Sequence, residues 1–152
     1  MKKIVAEVMS LSNKSLYPRI YCVSDDGQED QAVSLTLCDT VWELNGEPIR
    51  ELERIAKNAL EGRYVPDDIN LPDFSINDKF IWIRPPFAVV GQVCISNENV
   101  PELSVDTGAP QSFTMSQFKV VADLASSFLA EITHQGRERL VGCKFEVDFP
   151  ER

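Results

Sequence analysis

Carboxylates are the residues of this chain whose crowding could do chemistry. Asp25, Asp26, Glu29 and Asp30 surround Gly27 in one short stretch, and Asp67, Asp68, Asp73 and Asp78 fall in a second. Grouped carboxylates can ligate a hard cation, act as an acid/base pair, or receive Arg and Lys from a partner. A calcium loop needs oxygen ligands at alternating positions and a closing Glu, and the first group has neither. Acid/base catalysis needs two carboxyl groups held together with separated pKa values, which linear spacing does not supply. The third use, an acidic prong for basic side chains, is the one the pattern supports. The second group reads as a further acidic contact or a weak cation site, and Glu98, Glu102 and Asp106 form a third, looser group with the same two readings.

The other reactive types are sparse. His134 is the single imidazole, with no orienting carboxylate or nucleophile identifiable beside it, and it reads as a cation near a helix C-terminus. Cys22, Cys38, Cys94 and Cys143 form no C-x-x-C pair, so no zinc site is signalled. Each lies in an apolar run and reads as a small buried hydrophobe in a reducing compartment. Phosphate-cradling glycine loops, nucleophile elbows and H-E-x-x-H are absent. No catalytic residue, metal or cofactor is expected. Among the aromatics, Trp82 alternates with Phe80 and reads as core, whereas Tyr64, beside a charged loop, reads as an exposed anchor. The expected partner-binding set is therefore Asp25, Asp26, Glu29, Asp30, Tyr64, Asp67 and Asp68.

Overall charge points the same way. Asp and Glu number 24 against 15 Lys and Arg, for a net charge of -9. Affinity for nucleic acid or anionic lipid comes largely from Lys and Arg, so neither is an expected direct partner. An acidic surface speeds association with basic proteins. No signal peptide or membrane span is read from the sequence, and the expected compartment is the cytoplasm.

The elements that must position these residues follow from periodicity. At 152 residues the chain is expected to be one globular domain, 1–152, burying roughly 70% of its unfolded surface. Strands are expected at 3–10, 19–24 and 31–38, with 41–44 a further short strand or the end of the previous one, and the Asp-Gly turn makes a hairpin tip of the first acidic group. Pro48 opens a helix whose apolar face carries Ile49, Leu52, Ile55, Ala56, Ala59 and Leu60, and Gly62 stops it. Residues 63–75 and 97–112 read as two long connections. Strands at 79–84 and 88–96 meet at Pro85-Pro86, a pair that no central strand accommodates. Thr114 to Gln117 spells a capping box, with Phe113 and Phe118 at hydrophobic-staple positions. The helix that follows ends near His134 with Gly136 as its cap. Residues 140–149 alternate as a half-solvated strand, Val141, Cys143, Phe145, Val147 and Phe149 facing inward.

The expected fold class is α+β: one mostly antiparallel sheet of about six or seven strands, with two main helices on one face. The expected function is a non-enzymatic acidic binding protein. In concrete form it is an inhibitor, such as a bacterial immunity protein, that neutralises a basic toxin or nuclease by charge complementarity. Two other classes fit less directly: an enzyme or small-molecule-binding protein using the loop carboxylates, and a structural adaptor that adds a strand to a partner sheet. The oligomeric state is left open.

Overall fold

A computed structural model of the chain describes residues 2–30, 47–76, 79–92 and 111–150. The strands expected at 31–38 and 41–44, most of the 97–112 connection, Asp78, Cys38, Cys94 and the third acidic group lie outside those residues.

Eight strands and three helices follow one another along the described chain. Sheet A is built from β1 (Lys3–Ser10), β2 (Leu16–Val23), β3 (Glu29–Asp30) and β8 (Lys144–Asp148), in the order β3-β2-β1-β8. Sheet B is built from β4 (Phe74–Ile76), β5 (Lys79–Arg84), β6 (Phe87–Gln92) and β7 (Gln111–Thr114), paired in sequence order. All named pairings are antiparallel. The helices are α1 (Glu47–Leu60), α2 (Met115–Gln135) and the single turn α3 (Arg137–Leu140).

The α+β class holds, but the single sheet of six or seven strands does not. Two four-stranded sheets stand in its place and share no strand pairing among the described residues. Periodicity locates strands without naming their neighbours. Here the hairpins β1–β2 and β5–β6 are each extended separately, by β8 and β3 in one case and by β4 and β7 in the other. Both sheets nonetheless turn one face to the same core. Ile4, Ala6, Val8, Ile20 and Cys22 of sheet A join Ile81, Ile83 and Ala88 of sheet B in one buried cluster. The helices complete it with stripes of Leu52, Ile55, Ala56 and Ala59 from α1, and Phe118, Val121, Ala122, Ala125 and Phe128 from α2.

Local chemistry explains the clearest element. The Thr114 hydroxyl accepts from the Gln117 N–H at 3.2 Å, and the Thr114 N–H donates to Gln117 Oε1 at 3.1 Å. Two donors that the first helical turn would orphan are satisfied together. The staple forms as expected, with the Phe113 and Phe118 rings 6.2 Å apart. Gly136, at φ 84°, ends the helix and donates to Ile132 O at 2.8 Å. Gly62 ends α1 in the same way, at φ 77° with its N–H on Ala59 O.

Several side-chain expectations are corrected: Val141 and Val147, expected to face inward, are 46% and 39% exposed. Trp82 is half-buried, because its neighbours Ile81 and Ile83 take the core face of β5. Cys143 is exposed, because residues 140–143 form a turn and β8 begins only at Lys144. Leu60 is exposed at the end of its helix.

The outer face of sheet A carries a charged row beside a small apolar cluster. Val5, Tyr21 and Val23 pack together, fully or nearly buried. Register aligns Lys144, Glu7 and Arg19 across β8, β1 and β2. Arg19 is 6% exposed. It donates to Glu29 Oε2 at 2.6 Å, lies 3.4 Å from Glu7 Oε1, and stacks 3.8 Å over the Tyr21 ring. Its buried Nε has no hydrogen-bond partner among the described residues. Lys144 reaches Glu7 from the other side at 3.8 Å, and Lys3 pairs with Glu146 at 3.2 Å.

Burial, and next the Glu7 charge, raise the Tyr21 phenol above its ordinary 10.0, with Arg19 working the other way. The native state therefore holds the phenolic proton more tightly than the unfolded chain does. Stability is intact below pH 10.0 and falls as the pH rises from there through the folded pKa. Tyr21→Phe is expected to remove this part of the alkaline loss. Denaturant midpoints of both proteins across that window test it; parallel pH profiles would overturn it.

Candidate functional site

The expected acidic prong is largely committed to its own hairpin. β2 turns at Ser24, whose N–H donates to Gln28 O at 2.9 Å and whose carbonyl accepts from Gly27. Gly27 sits at φ 87°, which its lack of a side chain permits. Asp26 accepts from the Ser24 hydroxyl and from the Gln28 N–H. Those bonds, the Ser24 one foremost, hold its carboxyl below the usual range. Glu29 is spent on Arg19. The Asp30 backbone pairs with Cys22. Asp25 is exposed and has no described bond.

The connection between α1 and β4 is built differently. Asp73 accepts from the Ile83 N–H at 2.7 Å, from Arg84 Nη1 at 2.7 Å and from the Tyr64 hydroxyl. Its side chain is 3% exposed. Asp73 N–H donates to Ile81 O, so backbone and side chain both tie it to β5. Arg84 then gathers the loop: Nη2 donates to the carbonyls of Asp68, Ile69 and Leu71 at 3.3, 3.1 and 2.8 Å. Asp68 caps the turn it starts, accepting from Asn70 N at 2.9 Å. An irregular segment is thereby given a fixed shape by one buried carboxylate and one guanidinium.

That shape exposes apolar surface. Val65 is 79%, Ile69 70% and Leu71 58% exposed. Three large aliphatics are thus exposed on one pinned loop. Asp67 and Asp68 lie between them in sequence, both exposed. Beside the loop is a cavity of about 520 Å³, lined by Glu51, Arg54 and Asn58 of α1 and by Arg63, Tyr64, Val65, Asp67, Asp68, Leu71 and Asp73. Its cations are already paired, Arg54 with Glu51 and Arg63 with Glu61.

Of the expected partner-binding residues, the structure brings Tyr64, Asp67 and Asp68 to one cavity, Asp25, Asp26 and Glu29 do not line it, and the Asp30 side chain lies outside what the structure describes. Tyr64 is half-buried and hydrogen-bonded, so it anchors the loop instead of standing free. Sequence reading missed Val65, Ile69 and Leu71, and gave Arg84 no role. Apolar residues with neither helical nor strand period in a proline-flanked segment were the available signal. Among the described residues, no group of three or more His, Cys, Asp or Glu is placed to hold a metal, and no helix is long and apolar enough to cross a membrane. Set against known proteins, the chain matches no family model, no curated sequence and no solved structure.

Proposed function

We propose that this chain is an acidic, non-enzymatic binding protein that neutralises a basic protein, of the toxin or nuclease kind, by covering its cationic groove. The observation that carries the reading is the loop 61–73: exposed Val65, Ile69 and Leu71 beside Asp67 and Asp68, held by the Asp73–Arg84 pair. Apolar contacts of this kind supply affinity, and flanking carboxylates steer a cationic partner. A pre-shaped loop loses less entropy on binding than a free one. The hairpin tip contributes long-range charge through Asp25. The small-molecule reading has the cavity volume in its favour, which is in the usual range for ligand sites. Its cations Arg54 and Arg63 are held by Glu51 and Glu61, whereas Asp67 and Asp68 carry no ion pair among the described residues, which favours a basic protein surface over an anionic small molecule.

The test is tagged capture from the native cell at low and high salt, with the wild type, a Val65→Ser/Ile69→Ser/Leu71→Ser variant and an Asp67→Asn/Asp68→Asn variant. The expected partner is one stoichiometric basic protein, toxic when expressed alone and harmless beside this chain. The serine variant is expected to lose affinity by at least about a hundredfold, the loss of roughly 1 kcal/mol at each of three contact residues. The asparagine variant is expected to associate more slowly and with less salt dependence. Absence of any protein partner at either salt defeats the reading.

A further inference from the structure

We infer that the edge of β8 with no partner strand among the described residues pairs with the β8 of a second copy, joining two sheets A across a two-fold axis. β8 has one neighbour among the described residues, β1, in unbroken register from Lys3↔Asp148 to Glu7↔Lys144. The Phe149 N–H donates to Lys2 O at 2.9 Å. Antiparallel pairs alternate, so Phe145 and Val147 bond towards β1, and the N–H and C=O groups of Lys144, Glu146 and Asp148 point away from it. Those three residues are exposed, and Val147 is 39% exposed on the other face. Lys144–Asp148 has no bulge, proline or inward charge, and its edge is guarded only by its short length and its outward charges Lys144, Glu146 and Asp148.

The occupant follows from self-complementarity. An antiparallel pairing of two β8 strands centred on Glu146 overlaps all five residues and matches outward-pointing groups with outward-pointing groups. It sets Lys144, whose own contact with Glu7 is a loose 3.8 Å, opposite the second copy's Asp148, twice by symmetry, and Phe145 opposite the second copy's Val147. The two central Glu146 residues meet as like charges, but each is already paired with its own Lys3 at 3.2 Å. Phe145 keeps its inward packing on Phe128, 5.7 Å between rings. Five residues a side are few beside the roughly 20–30 of a stable interface, so the dimer is reversible and concentration-dependent.

Sedimentation velocity across a concentration series tests this on the full chain. The wild type is expected to shift from monomer to dimer. Glu146→Pro removes an outward N–H without touching a β1–β8 bond, and is expected to stay monomeric with an unchanged circular dichroism spectrum. Lys144→Asp and Asp148→Lys are each expected to weaken self-association about tenfold, and an equimolar mixture of the two to recover a heterodimer. These two variants decide the matter if the proline variant unfolds. A wild type that is monomeric at every concentration, or a dimer indifferent to all three variants, overturns the pairing. The toxin-neutralising reading is untouched by either result.

Discussion

Replacing Arg19 by Met is expected to destabilise the protein by about 3 kcal/mol, the low end for breaking a buried ion pair by removing one partner. In a chain of this size that is a fall in melting temperature of roughly 6–12 °C. The cause lies less in the lost bonds than in what remains. Glu7 would keep only a distant Lys144, at 3.8 Å. Glu29, itself partly exposed, would turn to water, which sets the figure low. Tyr21 would lose the guanidinium that stacks on its ring. Methionine preserves much of the side-chain volume, so the loss reports charge and not a cavity. A second change, Glu7→Gln, made on top of Arg19→Met is expected to restore part of the stability, because the stranded charge is gone. Strictly additive losses in the double variant would show that the row across sheet A is not energetically coupled.

The second large effect is expected at Asp73. Asp73→Ala leaves the Ile83 N–H, the Tyr64 hydroxyl and the Arg84 guanidinium without their acceptor, at a cost of about 3 kcal/mol. Arg84 is partly exposed and can take water, which keeps the cost from rising further. The more telling consequence is local. With Arg84 released, the carbonyls of Asp68, Ile69 and Leu71 lose their shared donor. Amide exchange in 61–73 is expected to accelerate well beyond the rest of the molecule, and trypsin is expected to cut after Arg63 under native conditions. Asp73→Asn, which still offers an oxygen to one or two of the donors, should fall between. Uniform protection across the loop in Asp73→Ala would mean that its shape does not depend on this carboxylate.

Sequence and structure agree where the signal is local and diverge where it depends on distant partners. The Thr114–Gln117 box, its phenylalanine staple and the Gly136 stop were all legible, because each is decided within one or two turns of helix. The strands β1, β2, β5 and β6 were legible from alternation. β4 and β7 were not. Each has three or four residues and exists because β5 and β6 offer it a ladder, so its sequence alone has little period to read. The same division runs through the candidate site. Asp67, Asp68 and Tyr64 could be singled out by type. The role of Asp73 could not, because it is set by Ile83 and Arg84, residues of a strand whose proximity only the fold creates. Arg19 reads as one residue of an alternating strand until β1 and β3 place a glutamate on either side of it.

The pairing of β1 with β8 also governs when the protein can finish folding. The Lys3–Glu146 ion pair spans 143 residues of sequence. At a ribosomal pace of about 5–20 residues per second, roughly 7–30 s separate the synthesis of the two strands. During that interval β1 can pair with β2, its hairpin neighbour, but its other edge has no native partner yet made. Closing so long a loop also slows folding once synthesis is over, since the entropy of closure precedes the contacts that offset it. The half-built sheet A therefore carries an unpaired β1 edge, open to wrong pairings until β8 is made, and translation sets the least time it stays so.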